Sequence, residues 1–242
     1  MRALLLHGVY AGAGPHEWHA LTPLLSDRFD VECPDLLSPG EWDAERLTAA
    51  VRSEIERGDA PLVVASSLTG AHALRVAGAG APVAGLVLIT PTGLGRAQRR
   101  PSGTAGRLAS EVVRRTPARG VVNGLLGSRG SVALFLKRAV YGDASLVTDD
   151  VVATYTAAAD RPGADDAAVA FVAGRLAVPV DGAMVSRLRP LVIWGPAQRF
   201  VGDEEPMKWR NAGADVRELH GTGLPHAEKP DVVAKMIMSV AP

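Results

Sequence analysis

The sequence has one cysteine, no net charge and no long apolar run, and each of these excludes a class of protein. Cys33 cannot form a disulfide within the chain, and no Cys/His group has metal-site spacing. The 26 basic and 26 acidic residues balance, so no general attraction to nucleic acid or to an anionic membrane is expected. No stretch reaches the roughly 18 apolar residues of a membrane span, and the N-terminal apolar run is too short for a signal peptide. We therefore expect a cytoplasmic protein without metal or cofactor that acts on a small molecule.

The order of apolar and amphipathic segments predicts an α/β fold. At 242 residues, with 47% hydrophobic and 21% charged residues, the chain is expected to form one domain over 1–242. Short apolar runs alternate with longer amphipathic stretches, which is typical of a mostly parallel six-stranded sheet flanked by helices. The predicted strands are 3–6, 30–33, 61–65, 84–89, 190–194 and 216–219. The predicted helices of this core are 17–25, 44–56, 69–79, 203–211 and 227–240.

The alternation breaks between about 93 and 189. This stretch contains helix-like segments without a strand between them, which predicts a helical cap inserted into the sheet domain. The predicted helices of the cap are 108–115, 132–140, 149–158 and 165–176. Seven arginines and one glutamate lie between Arg96 and Arg119. They predict either a solvated face of the cap or a contact with an anionic substrate or an acyl carrier protein.

Residues 63–71 carry the strongest chemical signal. An apolar strand ends in small residues, and a helix begins at once, which places Ser67 in the tight turn between them. A nucleophile in such a turn is strained but exposed, and it needs small neighbours such as Ala65 and Gly70. A small-residue turn of this kind can also be purely structural, so its context decides.

That context is a His-Gly sequence at the end of the first predicted strand. A His-Gly loop at this place can supply one N–H of an oxyanion hole, here from Val9, and the residue after the nucleophile, Leu68, supplies the other. The expected role of His7 is to shape the loop.

These pieces together resemble the α/β-hydrolase superfamily, in the branch that carries a helical cap. The matching segments are His7-Gly8, Trp18, Pro34-Asp35-Leu36, Ser67 with Gly70, 86–89, 191–195 and 224–230. They cover nearly the whole chain in the family's order, and the resemblance implies the fold and a site at Ser67.

The resemblance also implies an acid and a histidine that this chain lacks. Gln198 stands where the family's carboxylate follows Trp-Gly. Gly223 stands at the histidine position in an alignment without gaps, and an alignment with one deletion has no residue there. The alternative acid site, at 90–92, has no carboxylate either. Loss of the base leaves mainly binding and oxyanion stabilisation, about 10³- to 10⁴-fold over water, so ordinary serine hydrolysis is disfavoured.

Other groups could serve the site. His226 is the candidate base, alone or paired with Asp203 or Glu228, although a surface position at a helix end is the simpler interpretation. Tyr10, His16 and Gln198 are candidates for lining the pocket, with loop capping an equal alternative for His16. Packing explains His72, and a solvated helix start explains Asp203.

An oxyanion hole without a complete triad favours a non-hydrolytic enzyme. The leading hypothesis is a lyase of bacterial secondary metabolism that eliminates a carboxylate such as acetate from an activated ester, similar to the acetate-eliminating enzymes of tetronate polyketide pathways. Ser67 would hydrogen-bond the substrate oxygen, and Val9 and Leu68 would stabilise an enolate. The alternatives are a serine hydrolase or esterase with a relocated base, and a non-catalytic ligand-binding protein.

Overall fold

The computed structural model describes residues 1–10, 12–94, 128–197 and 203–240. Six strands of this part of the chain form one parallel sheet of order β2-β1-β3-β4-β5-β6. The strands are β1 Arg2–Leu6, β2 Asp30–Glu32, β3 Leu62–Ser66, β4 Gly85–Ile89, β5 Leu191–Trp194 and β6 Asp215–Glu218. The predicted α/β class and the six strands are confirmed.

The central strands are continuous apolar runs because helices cover both of their faces. β1, β3 and β4 are almost wholly buried, as expected for parallel strands between two helical layers. β2 and β6, at the two edges of the sheet, are partly exposed and more polar. The core therefore lies in two layers, one on each face of the sheet.

Helices and short turns surround the sheet, and two segments predicted as single helices are divided. A 3₁₀ turn covers Pro15–Trp18. The helices are α1 Thr22–Leu25, α2 Ala44–Glu56, α3 Ser67–Gly78, α4 Arg129–Phe135 with a π-turn at Leu136–Val140, a 3₁₀ turn at Ala144–Leu146, α5 Asp149–Ala159, α6 Ala164–Val172, α7 Gly182–Leu188, α8 Glu205–Asn211, α9 Pro225–Glu228 and α10 Pro230–Met238.

The single predicted helices 17–25 and 227–240 are wrong. Pro23 and Pro230 each stand in the first turn of a new helix. Proline lacks the N–H that an internal turn of a helix must donate, so each segment is divided there.

Helices α4 to α7 lie between β4 and β5 and form the inserted cap. Their own small core packs Tyr10 against residues of the cap such as Leu136 and Tyr155. The predicted helix 108–115 and the arginines from Arg96 to Arg119 lie outside the described residues, so the contact with an acyl carrier protein stays a prediction. Within the described ranges, no helix is both long and apolar enough to cross a membrane.

Candidate active site

Ser67 lies on the turn from β3 to α3, as predicted. It is half-buried, and its φ of 54° is in the left-handed region that non-glycine residues rarely adopt. Two glycines leave room for this turn. A Cβ at Gly8 would lie 3.6 Å from the Ser67 Cβ, and a Cβ at Gly70 would lie 3.3 Å from the Pro91 Cβ. The strained turn places Ser67 at the end of the strand, where it borders a cavity.

Two backbone N–H groups are available beside Ser67. Among the described residues, neither the Val9 N–H nor the Leu68 N–H has a hydrogen-bond partner. Leu68 belongs to the first turn of α3, where N–H groups have no acceptor within the helix. These are the two donors that the sequence predicts for an oxyanion hole.

His7 holds the loop that carries Val9. The Leu36 N–H donates to His7 Nε2 at 3.1 Å, which makes Nε2 the acceptor, and Nδ1 donates to the Gly8 carbonyl at 2.8 Å. The Thr69 hydroxyl donates to the His7 carbonyl at 2.7 Å and ties the loop to α3. The loop-shaping role predicted for His7 is confirmed.

A cavity opens beside Ser67, between the ends of the strands and the cap. The space that protein atoms leave free in the cavity and at its open mouth is about 520 Å³, and this figure includes open solvent. Its lining is mostly apolar, and no described lining residue carries a charged side chain. The lining residues are Tyr10, Ser66, Ser67, Ile89, Thr90, Thr92, Ala139, Val140, Phe171, Gly223 and Leu224.

Backbone atoms of the cap occupy the space that a side chain at the family's histidine position would need. Gly223 lines the cavity, as the predicted alignment requires, but a Cβ there would lie 2.1 Å from the Val140 carbonyl oxygen. Glu228 fixes this contact: Oε1 accepts the N–H groups of Gly223 and Leu224 at 2.7 and 2.6 Å. Its other oxygen accepts two N–H groups of the cap, those of residues 142 and 143, at 3.0 and 2.9 Å. No side chain, and so no imidazole, fits at position 223 of this backbone.

The end of β4 supplies hydroxyls instead of an acid. Thr90 and Thr92 line the cavity, which agrees with the expectation of no carboxylate there. Thr90 has a φ of 45°, and its hydroxyl accepts the Gly195 N–H at 3.1 Å. Thr90 thus joins the ends of β4 and β5.

His226 is not the surface residue that its position near a helix end suggested. It is fully buried, and its ring stacks on Trp18 with the centroids 4.2 Å apart. Nε2 lies 4.0 Å from Glu17 Oε2, and neither ring nitrogen has a hydrogen bond among the described residues. His226 is absent from the described lining of the cavity. The buried ring packs beneath the oxyanion loop because Trp18 offers it an aromatic face.

The predicted pairings of His226 are also wrong. Asp203 is exposed, and Glu228 directs both of its oxygens to backbone N–H groups. The sequence places Glu228 two residues from His226, but within the short helix α9 the two side chains point to different neighbours. Glu17, from the 3₁₀ turn, takes the place beside His226.

Burial of His226 predicts a dependence of stability on pH. Burial lowers the pKa of His226 to about 3, so the folded protein keeps the ring neutral while the unfolded chain protonates it below about 6.5. The unfolded state therefore binds more protons, and stability must rise with pH between these values. We expect His226→Phe, which keeps an aromatic ring against Trp18, to reduce the slope of unfolding free energy by about 1.4 kcal/mol per pH unit well below pH 6.5.

Urea unfolding from pH 4.5 to pH 7.5 measures that slope. His220→Gln is the matched control, because His220 is exposed and is hydrated in both states. His16 and His72, whose pKa values burial lowers to about 4, add to the slope equally in all three proteins. Equal slopes for His226→Phe and the unchanged protein would contradict the prediction.

The three pocket candidates have different outcomes. Tyr10 lines the cavity. His16 is not among the described lining residues and packs edge-on against Tyr155 with the centroids 4.6 Å apart, so its place in the pocket stays a prediction. Gln198 lies outside the described residues. His72 bonds Thr48 and the Leu176 carbonyl, each at 2.8 Å, which confirms a packing role.

Glu17 is the residue that sequence reasoning missed. Its carboxylate is buried below the oxyanion loop, where Oε2 accepts the Gly8 N–H at 3.3 Å. Burial raises the pKa of Glu17. The available signal was a single carboxylate between His16 and Trp18, directly after the glycine-rich loop. Nothing local distinguishes it from a solvated helix start.

A six-stranded parallel sheet with an inserted cap, and a serine on the turn after the third strand, define an α/β-hydrolase. The Alpha/beta hydrolase family profile matches residues 3–236, and the chain belongs to this family. No curated protein matches the chain significantly.

Solved structures show the same fold. The meta-cleavage product hydrolase CumD of Pseudomonas fluorescens IP01 is 17% identical with a TM-score of 0.73, covering 99% of this chain and 89% of that chain. The 2-hydroxy-6-oxo-6-phenylhexa-2,4-dienoate hydrolase BphD of Rhodococcus sp. strain RHA1 is 19% identical with a TM-score of 0.73, covering 98% and 89%. The epoxide hydrolase CorEH is 19% identical with a TM-score of 0.68, covering 98% and 90%. At these identities the similarity establishes the fold.

Proposed function

We propose that the chain hydrolyses a small uncharged ester, with Ser67 as nucleophile. The observation that carries the proposal is the strained Ser67 turn beside the N–H groups of Val9 and Leu68, neither of which has a partner among the described residues. This is the arrangement that acyl transfer needs, with a hydroxyl to attack the carbonyl carbon and two donors for the oxygen that becomes negative. The hydrolases named among the similar structures support a hydrolytic reaction, although those similarities carry only the fold.

The cavity supports the choice of an uncharged substrate. Its described lining has no charged side chain, so a buried ionic group of a substrate would lose its hydration without a counter-charge. Apolar side chains such as Phe171 and Leu224 suit a hydrocarbon part of the ester. The hydroxyls of Thr90 and Thr92 suit a polar oxygen.

A fluorophosphonate probe tests the nucleophile directly. We expect the unchanged protein to be labelled on Ser67, located by mass spectrometry of the tryptic peptide, and to release nitrophenol from p-nitrophenyl acetate. Ser67→Ala is the matched variant and should lose the label and lower hydrolysis at least about 10³-fold. Complete resistance of the folded, unchanged protein to the probe would sink the proposal.

The second candidate is the elimination of a carboxylate such as acetate from an activated ester in bacterial secondary metabolism, as in tetronate polyketide pathways. The observation that favours it is the described lining, which offers no imidazole and no carboxylate to complete a serine relay. Ser67 would then bind the substrate oxygen, and the two N–H groups would stabilise an enolate.

Oxygen-18 water separates the two reactions on a β-acetoxy ketone. Hydrolysis breaks the acyl–oxygen bond and puts one solvent oxygen into the acetate. Elimination breaks the alkyl–oxygen bond, so the acetate carries no solvent oxygen and an enone appears. Labelled acetate supports hydrolysis, and unlabelled acetate with enone supports elimination.

A further inference from the structure

Among the described residues, a cluster of unpartnered polar atoms lies next to Tyr10, which forms part of the cavity wall. Within the described chain, the Tyr10 and Tyr155 hydroxyls, Glu17 Oε1 and both His226 nitrogens are buried without a hydrogen bond. An unpaired buried polar group costs about 1–3 kcal/mol, and most such groups in proteins are paired. A concentration of them beside a candidate active site points to a chemical task, because the fold gains no stability from it.

Tyr10 and Glu17 are direct neighbours in this cluster. The Glu17 charge is, after burial, the largest cause that raises the pKa of Tyr10, and the Tyr10 hydroxyl in turn lowers the pKa of Glu17. The groups that face Glu17 are Tyr10, the Gly8 N–H, His7 and His226, and its charge also raises the pKa values of Tyr141 and Tyr155. Glu17 is thus enclosed by hydroxyls, imidazoles and a backbone N–H, without a lysine or arginine among these neighbours.

Tyr10 is also a neighbour of Ser67. Both line the cavity, and both border Gly8: a Cβ at Gly8 would lie 3.1 Å from Tyr10 Cε1 and 3.6 Å from Ser67 Cβ. Cε1 is the ring carbon next to the one that bears the hydroxyl, and Cβ bears the serine oxygen. Both side chains therefore border the same part of the cavity. The Tyr10 hydroxyl has no hydrogen-bond partner among the described residues, so a proton from Ser67 would reach it after a small movement of either side chain or through one water molecule.

Tyr10 is the only described residue of the lining whose side chain titrates. The position of the family's histidine is closed by the contact between Gly223 and Val140, and His226 is not among the described lining residues. A proton that leaves Ser67 toward a described residue consequently has one acceptor that can pass it on.

We propose that Tyr10 is the acid–base residue of this site and that Glu17 holds the proton that Tyr10 passes on. The inference rests on the proposed function, in which Ser67 attacks an ester. As the Ser67 oxygen bonds to the carbonyl carbon, its proton moves to the Tyr10 oxygen, and the Tyr10 proton moves to the Glu17 carboxylate. When the carbon–oxygen bond to the alcohol breaks, Tyr10 protonates the leaving alkoxide and recovers its own proton from Glu17. Water repeats the cycle on the acyl-enzyme.

The relay explains why a carboxylate is buried below an oxyanion loop. A base is most effective when its pKa lies near the working pH, and burial moves Glu17 in that direction. Glu17 acts through Tyr10 and does not touch the substrate, so it is a positioning residue, and Tyr10 is the catalytic one.

The pH dependence of Ser67 labelling by an alkyl fluorophosphonate tests the relay. In the unchanged protein the second-order rate should fall as pH drops through the Glu17 pKa, which lies above the ordinary value of 4.5. Glu17→Gln keeps the shape and an acceptor for the Gly8 N–H, and Tyr10→Phe keeps the ring. We expect each to lower the rate about 10²-fold or more and to remove this pH dependence, and the double variant to lower it no further.

Tyr141→Phe is the control, because it removes a hydroxyl that neighbours Tyr155 and Glu17 but does not belong to the described cavity lining. It should leave rate and pH profile unchanged. If Glu17→Gln does not fold, as judged by circular dichroism, Tyr10→Phe decides the test. If both variants label Ser67 at an unaltered rate and with an unaltered pH profile, the relay is wrong and the proposed function stands. No label on the unchanged protein overturns the proposed function, and the relay with it.

Discussion

Replacing Gly223 by alanine is expected to lower the free energy of unfolding by about 3 kcal/mol or more. The added Cβ would lie 2.1 Å from the Val140 oxygen and 3.2 Å from the Gly142 nitrogen, and both are backbone atoms that cannot rotate away. Relief requires the loop and the cap to separate, which breaks the N–H bonds that Glu228 accepts on both sides. Urea denaturation followed by circular dichroism measures the loss.

Gly130→Ala is the matched control for that experiment. Gly130 lies in α4, and a Cβ there would meet nothing within 4 Å. Alanine is the better helix former, so this variant should equal the unchanged protein or exceed it by up to about 1 kcal/mol. If Gly223→Ala is as stable as Gly130→Ala, the contact between loop and cap is not as tight as described.

The same contact limits any attempt to restore a triad. Gly223→His adds a larger side chain at the same Cβ, so it should destabilise the fold at least as much as alanine does. The packing of the cap against the loop thus excludes a histidine at position 223, and the site must work without one.

The centre of the sheet could be predicted from the sequence because its inner strands are apolar on both faces. Apart from Arg2, the first residue of β1, the runs that became β1, β3 and β4 contain no polar residue before the end of the strand, which amphipathic helices do not show. The serine turn and the His-Gly loop were predictable for a similar reason, since small residues are required where the backbone is strained or closely approached.

The buried contacts of Glu17, His226 and Gly223 could not be predicted in this way. Glu17 and His226 are 209 residues apart, and their burial against each other depends on how the last helices dock below the first loop. Charged and polar residues near helix ends are usually solvated, so local sequence favoured exposure for both. The blockage at Gly223 likewise depends on Val140, a contact between segments more than eighty residues apart.

Ser67→Gly is expected to abolish labelling and hydrolysis while making the protein more stable. A φ of 54° costs an L-residue other than glycine roughly 1–2 kcal/mol, and glycine adopts it freely. Part of this gain is offset because glycine has more freedom in the unfolded chain, so we expect a net increase of about 0.5–1 kcal/mol in unfolding free energy. Loss of the hydroxyl should lower ester hydrolysis at least about 10³-fold.

Ser67→Ala separates the two effects. Alanine removes the same hydroxyl but keeps the Cβ and therefore the strain, so it should be inactive without the gain in stability. Thermal unfolding of the three proteins gives the comparison, and equal midpoints for glycine and alanine would mean that the turn stores no strain. A more stable glycine variant would show that the fold keeps an unfavourable backbone at Ser67 for the sake of its hydroxyl, which a purely structural turn would have no reason to do.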